Sequence, residues 1–243
     1  MLEPAGVELC DACAVSAGQE VLDVAAGDGN FALAAAREGA SVVASDLAPG
    51  MLELGRARSE AEGYGIEWVE ADAEELPFED ARFDCVGSAF GAVMAPRPEV
   101  VARELFRVVM PGGTVGMVSW TPSSYPAERF AIGRKYVPPP PELTLPEEWG
   151  DDEVVTARFE GLAGSLTFRT ASMPWVAASP EELGERMERS APAQVAAREA
   201  LSPEEHEAMQ RELLEQARSW NVADDGSFRV DAEYLITVAR RRG

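Results

Sequence analysis

The sequence predicts an α/β protein built on a doubly wound, mostly parallel sheet with helices on both faces. Short apolar runs alternate with helical patterns from about residue 20 to residue 120, which is typical of successive βα units. A turn containing two glycines directly follows the first run, and carboxylates follow the second and third runs. Because parallel strands end at the same edge of a sheet, we expect these groups to gather there.

Seven strands are expected in all. Five lie in the first half, at 20–25, 41–46, 66–70, 83–89 and 114–120, and two close the sheet at 165–173 and 228–240. The first half has helices at 30–38, 49–62 and 99–109, with a short turn at 74–77, and proline or glycine marks several of their ends.

The second half begins with a proline-rich loop or lid at 121–150, which includes prolines 138–141 and a short helix at 127–136. Further helices are expected at 151–160, 180–189 and 193–200, and Ser202-Pro203-Glu204-Glu205 forms a capping box for a last helix that runs to about Trp220. Because the sequence shows no domain linker, we interpret 1–243 as one domain with a C-terminal helical insertion.

Composition excludes several classes of function. The 243 residues carry 43 acidic and 21 basic side chains, a formal charge of −22, so nucleic acid and anionic membrane surfaces are not expected partners. Lys135 is the only lysine and His206 the only histidine, which excludes a His-centred triad and a multi-His metal site within one chain, and we expect no metal. Three cysteines, no signal peptide and no long apolar run lead us to expect a cytoplasmic protein.

The glycine turn is the first candidate binding element. Gly27 and Gly29 allow a tight turn and let a ligand approach the backbone, while the helix that begins at Asn30 presents free N–H groups. Many βα junctions carry such a turn, so a purely structural role remains open.

Two carboxylates complete the candidate site. Asp46, at the end of the second strand, is placed to accept both hydroxyls of a ribose, or alternatively to cap the helix that starts near Pro49. Asp72-Ala73, after the third strand, can bind the edge of an adenine, although the same dipeptide is common in turns. Together with the glycine turn they predict an adenosine pocket.

These segments resemble one enzyme family. The stretches VLDVAAGDGN, SDLAPGML, ADAEELPFEDARFDCV and ELFRVVMPGGTVGMVSW are similar, in order and spacing, to class I S-adenosylmethionine-dependent methyltransferases, in the branch of the ubiquinone and menaquinone C-methyltransferases (type 11 like). The resemblance implies a Rossmann-like fold, with residues 1–120 as the cofactor-binding half, and S-adenosyl-L-methionine as cofactor with S-adenosyl-L-homocysteine as product.

Residue roles follow from the resemblance alone. It implies that Asp23 and the turn from Gly27 to Gly29 face the methionine end, that Asp46 binds the ribose, and that Asp72 with Ala73 binds the adenine edge. Ala25 and Asn30, beside the turn, are also expected in the cofactor site. The remaining implied residues line the adenine faces or the path to the methyl group: Leu47, Met51, Ser88 and Phe90.

The chain also departs from the family. Ala25 stands where the first glycine of the turn is usual; alanine fits there if its φ stays below zero, and we then expect weakened rather than lost binding. Relatives usually have roughly twenty more residues in front, so either another segment covers the cofactor or the start is shortened.

The expected reaction is in-line methyl transfer to a small-molecule acceptor, which depends mainly on positioning. Candidates for a general base are Glu128, Tyr125 and Tyr136 of the proline-rich lid, with surface or packing roles as the alternative. An apolar acceptor pocket is expected from these residues, although core packing explains most of them equally well: Phe90, Met94, Trp120, Phe130, Tyr136 and Trp149.

Two other functions stay open at this point. Gly27-x-Gly29-x-x-Ala32 also satisfies a relaxed dinucleotide fingerprint, so a nicotinamide-dependent (NAD) oxidoreductase is one alternative, against which stand Asp72-Ala73 and the lack of a catalytic His or Tyr-Lys pair. The other is a protein that binds S-adenosylmethionine but has lost activity, which the altered turn would fit.

Overall fold

A seven-stranded sheet organises the protein in the computed structural model, which describes residues 2–140 and 143–243. The strands are β1 (Glu20–Val24), β2 (Ser41–Asp46), β3 (Glu67–Glu70), β4 (Phe83–Ala89), β5 (Val109–Trp120), β6 (Ala163–Ala177) and β7 (Phe228–Arg241). Their order is β3-β2-β1-β4-β5-β7-β6, with β1 to β5 parallel and β7 antiparallel to β5. This arrangement confirms the predicted Rossmann-like fold class.

Nine α-helices lie within the described residues. They are α1 (Glu3–Cys13), α2 (Asn30–Arg37), α3 (Pro49–Glu62), α4 (Pro98–Val108), α5 (Tyr125–Tyr136), α6 (Asp152–Arg158), α7 (Pro180–Ser190), α8 (Pro192–Ala200) and α9 (Pro203–Trp220). Two short 3₁₀ helices, Ala92–Met94 and Pro146–Gly150, were not expected from the sequence. Among the predicted prolines, Pro141 lies outside the described residues.

Local chemistry sets several helix ends. Helix α3 begins with Pro49 in its first turn and ends at Gly63, whose φ of +82° closes the helix in the left-handed region. Helix α9 carries the predicted capping box: the Ser202 side chain accepts the N–H of Glu205, and the Glu205 carboxylate accepts the N–H of Ser202.

Two strands are longer than the sequence indicates. Strand β5 begins at Val109 rather than 114, because Val109 pairs with Phe83 before an irregularity shifts the register, and pairing resumes at Thr114 with Cys85. Strand β6 runs from Ala163 to Ala177 rather than 165–173; it is the edge strand, and many of its side chains are exposed, so its apolar pattern does not mark its ends.

The chain divides into two compact units. The sheet unit comprises Met1–Trp120, Thr144–Ala171 and Tyr234–Gly243, and the helical unit comprises Thr121–Leu143 and Ser172–Glu233. A boundary therefore falls after Trp120, where the predicted halves meet, but two later segments return to the sheet unit. The single domain read from the sequence stays a prediction.

Each unit has its own apolar core. In the sheet unit, buried residues of the central strands pack with α4, which places Val101, Leu105 and Phe106 against the sheet. In the helical unit, a smaller cluster joins α5, α8 and α9 through Ile132, Ala197, Met209 and Leu213. Within residues 2–140 and 143–243, no helix is both long enough and apolar enough to cross a membrane.

Candidate functional site

The parallel register brings the ends of β1, β2 and β3 to one edge of the sheet. Val24 lies opposite Ser45, and Asp46 lies opposite Glu70. The N–H of Ala26 donates to the Ser45 carbonyl at 2.8 Å, and the N–H of Ala71 donates to the Asp46 carbonyl at 3.1 Å. Each loop is thus fixed to its neighbouring strand at the place where the predicted site residues follow.

The turn after β1 uses the left-handed region three times. Ala25 has φ of +52°, Gly27 of +58° and Gly29 of +86°. Gly29 caps α2, and a side chain there would meet the Trp68 ring at 2.6 Å, so both the backbone angle and the close ring require glycine. The helix N-terminus follows immediately, as predicted.

Ala25 does not meet the condition under which alanine fits the turn. Its φ is positive, which costs an L-residue roughly 1–2 kcal/mol. A Cβ placed on Gly91, in the loop after β4, would lie 2.0 Å from the Ala25 carbonyl oxygen. The two loops therefore meet backbone to backbone, and the family's usual glycine is replaced at a strained position.

Asp46 ties this turn to the second strand. Its Oδ2 accepts the N–H of Gly27 at 2.8 Å, and its Oδ1 accepts the N–H of Ala48 at 2.9 Å. Helix α3 has Ala48 as its N-cap residue, so Asp46 is not the cap that the sequence left open. Each oxygen keeps a further lone pair for a hydroxyl donor.

Asp23 is a buried carboxylate with one oxygen unsatisfied. The residue is 1% exposed; Oδ2 accepts the N–H of Ala32 at 2.9 Å, and Oδ1 makes no hydrogen bond within the described residues. Burial raises the pKa of Asp23 to about 8, against the lowering effect of the Ala32 N–H, and the charges of Asp46 and Asp28 raise it further. A buried acceptor that lacks a partner calls for a cation or donor.

Asn30 belongs to a polar network that the sequence did not reveal. Its side-chain amide donates to Asp28 at 3.3 Å, and its side-chain oxygen accepts from Arg58 of α3 at 2.8 Å. Arg58 also pairs with Asp28 and with Glu3 of α1, which joins α3 to the starts of α1 and α2 around the turn. The GxG spacing identifies the turn but carries no signal for these distant partners.

The residues predicted to contact the adenine follow β2 and β3. Leu47 is 64% exposed, and the Met51 methyl lies 3.4 Å from where a Cβ on Gly27 would stand. Beyond β3, Asp72 Oδ1 accepts the N–H of Glu74 at 2.9 Å, while Ala73 is buried. Asp72 thus makes the ordinary turn contact and keeps its second oxygen available.

Aromatic rings lie at the ends of β4 and β5. Phe90 stacks on Trp120, with ring centroids 4.0 Å apart and planes 20° apart, and Tyr234 meets both rings edge-on. Phe90 has φ of +65°, a strained conformation for a large side chain. Ser88, just before it, is buried, and its Oγ accepts the N–H of Ala92. Met94 is 54% exposed on the following 3₁₀ helix.

Other predicted acceptor residues lie elsewhere. Tyr125 is fully buried in the helical unit against Trp175, Trp220 and Phe228, and Tyr136 donates its hydroxyl to Glu212. The remaining three lie as follows: Glu128 accepts the indole N–H of Trp220, Phe130 is half-buried on α5, and Trp149 packs in the core of the sheet unit beside Phe159. The structure therefore gathers the predicted cofactor residues at one edge, whereas the predicted acceptor residues are divided between the units.

Comparison with known proteins agrees with this geometry. Residues 21–113 match the methyltransferase domain family. An uncharacterised Mycobacterium tuberculosis protein is 40% identical over 176 residues, covering 70% of this chain and 62% of the relative. The demethylmenaquinone methyltransferase of Clavibacter sepedonicus is 42% identical over 118 residues, covering 49% of this chain and 48% of that enzyme. The chain thus spans less than two thirds of the length of these curated relatives.

A solved structure shares the whole fold. A candidate methyltransferase from Bacillus halodurans superimposes with a TM-score of 0.70 at 23% identity, covering 99% of this chain and all of that one. The likeness extends the fold beyond the matched domain. The match over residues 21–113, which contain the glycine turn, Asp23, Asp46 and Asp72 in order, and the likeness to the demethylmenaquinone enzyme support a class I S-adenosylmethionine-dependent methyltransferase resembling the menaquinone methyltransferases, and confirm the resemblance seen in the sequence.

Proposed function

We propose that this protein transfers a methyl group from S-adenosyl-L-methionine to a small-molecule acceptor by in-line displacement. One observation carries the proposal: Asp23 and Asp46 follow one another on adjacent parallel strands, flank the glycine turn, and leave acceptor capacity that the chain does not fill. The family match and these acceptor carboxylates support the same cofactor.

The residues fit that cofactor group by group. The unsatisfied, buried Oδ1 of Asp23 matches the α-ammonium of its methionine part, since a buried carboxylate is stabilised by a paired cation. Asp46 would accept the ribose hydroxyls, and Asp72 with Ala73 would hold the adenine edge. Met51, beside Gly27, offers a soft apolar side chain to the adenine face.

The cofactor, when bound, supplies a methyl group on a sulfonium, which is already electrophilic. The protein's contribution is then to hold and align the two reactants, a contribution that reaches about 7–11 kcal/mol for well-oriented pairs. The stacked rings of Phe90 and Trp120 supply an apolar wall at the ends of β4 and β5. We assign no general base, because Tyr125 and Glu128 already bond within the helical unit.

The alternatives differ in cofactor and in turnover. A nicotinamide enzyme would use the same glycine turn, yet the matching family is a methyltransferase domain and the relative of assigned activity reported above is a demethylmenaquinone methyltransferase. An inactive cofactor-binding protein would share every residue discussed. The acceptor's small size and a cytoplasmic location belong to the proposal; the three cysteines are free and buried, as is common in reducing compartments.

Calorimetry separates these functions. We expect S-adenosylhomocysteine to bind and NADH not to bind; NADH binding alone would refute the proposal. Transfer of a labelled methyl group to any member of a panel of small acceptors would then establish turnover. Cofactor binding with no transfer across carboxylate, phenol, amine and thiol acceptors would favour the inactive protein.

A further inference from the structure

We propose that Arg58 of α3 is a positioning residue for the cofactor site: it holds the side chains of Asp28 and Asn30, and through them it fixes the turn after β1 in the shape that binds the cofactor. Arg58 acts on the cofactor only through that turn. That the turn binds S-adenosylmethionine rests on the proposed function, whereas the hold of Arg58 on the turn does not.

The turn from Ala25 to Gly29 depends on its neighbours for its shape. Three of its five residues have a positive φ, which most side chains disfavour. The N–H of Gly29 donates to the Ala26 carbonyl at 2.9 Å, inside the turn, but the N–H of Gly27 donates out of it, to Asp46. The conformation is therefore set in part by groups on other elements.

Trp68 of β3 packs between the turn and α3. A Cβ on Gly29 would lie 2.6 Å from the Trp68 ring, and a Cβ on Gly55 of α3 would lie 2.1 Å from it. The indole N–H donates to the Ser59 hydroxyl of α3 at 3.2 Å. Because Gly55, Arg58 and Ser59 are spaced by three and four positions, they share one face of the helix. The ring contact thus brings Arg58 to the turn.

The Arg58 guanidinium binds both polar side chains at the end of the turn. Its Nη1 donates to Asn30 Oδ1 at 2.8 Å and to Asp28 Oδ2 at 3.2 Å. The Asn30 amide also donates to Asp28 at 3.3 Å, so the three side chains form a closed set of contacts. A planar guanidinium carries several donors in fixed directions, which suits it to hold two acceptors in one arrangement.

Helix α1 fixes the backbone of the same residues. A Cβ on Gly6 would lie 2.6 Å from the Asn30 carbonyl carbon, so α1 meets the start of α2 backbone to backbone. Glu3, near the start of α1, lies 3.3 Å from Arg58 Nη2 and 3.0 Å from Arg37 Nη1. The hydrogen bond from Arg37 and the charges of both arginines lower the pKa of Glu3, which keeps it ionised as a partner of Arg58.

This network differs from an isolated surface ion pair, which contributes little. The Arg58 side chain is 24% exposed and has partners on the turn, on α1 and on α2. Burial is the main cause of the raised pKa of Asp23, and the charge of Asp28 adds to it, so Asp28 lies within electrostatic reach of that carboxyl. Small displacements of binding groups are costly to affinity and rate. Loss of Arg58 should therefore weaken cofactor binding.

Calorimetry with S-adenosylhomocysteine tests this effect in the full-length protein. Arg58→Met removes the donors and keeps an apolar stem, and we expect it to lower affinity at least fivefold. Arg58→Lys keeps the charge but not the fork of donors, so its affinity should lie between those of wild type and Arg58→Met. Arg56→Met removes an exposed arginine from the same helix and should bind as wild type does. Equal affinity in Arg58→Met and wild type would overturn the proposal.

A second background shows whether Arg58 acts through the turn. In a protein that carries both Asp28→Ala and Asn30→Ala, Arg58→Met should change affinity by less than twofold, because its partners are already absent. An additional fivefold loss in that background would mean that Arg58 acts by another route, which would also overturn the proposal.

Amide hydrogen exchange without any ligand separates this inference from the proposed function. In Arg58→Met the N–H groups of Gly27 and Gly29 should exchange at least fivefold faster than in wild type, while that of Leu22, in the centre of β1, should be unchanged. Faster exchange at all three would indicate a general loss of stability and overturn the proposal. A faster turn in a protein whose wild type does not bind S-adenosylhomocysteine would retain this inference and lose the methyltransferase proposal. Binding by wild type, with unchanged exchange and affinity in Arg58→Met, would do the opposite.

Discussion

The Asp46 carboxylate and the Gly27 N–H are joined by a hydrogen bond of 2.8 Å, which fixes the turn after β1 to the end of β2. The same carboxylate holds the Ala48 N–H at the start of α3. Asp46 therefore shapes the turn and, in our proposal, also binds the ribose. Its loss should disturb both the shape of the pocket and its contacts.

Replacing Asp46 tests both roles. We expect Asp46→Ala to weaken S-adenosylhomocysteine binding at least tenfold by calorimetry, because charge-assisted hydrogen bonds disappear. Asp46→Asn retains an acceptor oxygen, so its affinity for S-adenosylhomocysteine should lie between those of wild type and Asp46→Ala. Glu53→Ala, which removes an exposed negative charge from α3, is the matched control and should bind as wild type does. Unchanged affinity in Asp46→Ala would show that the ribose is not bound by Asp46.

The Asp23 carboxyl should make stability depend on pH. Its pKa in the folded protein is raised to about 8, whereas in the unfolded chain it is near 4. Between those values the folded state holds a proton that the unfolded state has released, so the free energy of unfolding decreases as pH rises, by at most about 1.4 kcal/mol per pH unit. Above pH 8 this contribution is constant.

Urea unfolding from pH 4.5 to 8.5 measures this slope. Many surface carboxylates also titrate at the acid end, so the informative quantity is the difference between wild type and Asp23→Asn. We expect wild type to lose stability relative to Asp23→Asn as pH rises. Parallel curves for the two proteins would show that Asp23 is already ionised in the folded state.

Cofactor binding should release the proton from Asp23. At pH 7 a carboxyl with a pKa of about 8 is mostly protonated, and an ammonium placed beside Oδ1 favours the ionised form. Calorimetry with S-adenosylhomocysteine in buffers of different ionisation enthalpy should therefore reveal up to about one proton released per site. Asp23→Asn should release none; equal release by both proteins would place the proton on another group.

Local patterns account for what the sequence could predict. The alternation of apolar runs with helices located β1 to β4, and Ser202 with Glu205 located the start of α9. The order of Asp23, Asp46 and Asp72 along the chain also predicted their common edge, because successive parallel strands pair in register. These features depend on spacing over a few residues.

The features that were missed depend on distant contacts. The Ala25 carbonyl meets the backbone of Gly91, 66 positions later, and Arg129 differs from exposed arginines only in its surroundings. The return of residues 144–171 and 234–243 to the sheet unit is likewise a property of tertiary packing. Propensity and periodicity carry no information on such contacts.

Ala25→Gly should stabilise the protein, because it removes the strain that the altered turn contains. A left-handed conformation costs alanine roughly 1–2 kcal/mol, and glycine adds roughly 0.5–1 kcal/mol of unfolded-state entropy, so a net gain of about 0.5–1 kcal/mol is expected. Urea unfolding measures it, with Ala57→Gly as control: Ala57 is exposed within α3, where glycine should instead cost about 1 kcal/mol. If both variants lose stability equally, Ala25 is not strained. If Ala25→Gly is more stable and binds S-adenosylhomocysteine at least as tightly as wild type, the alanine lowers the stability of the protein and is not needed for cofactor binding.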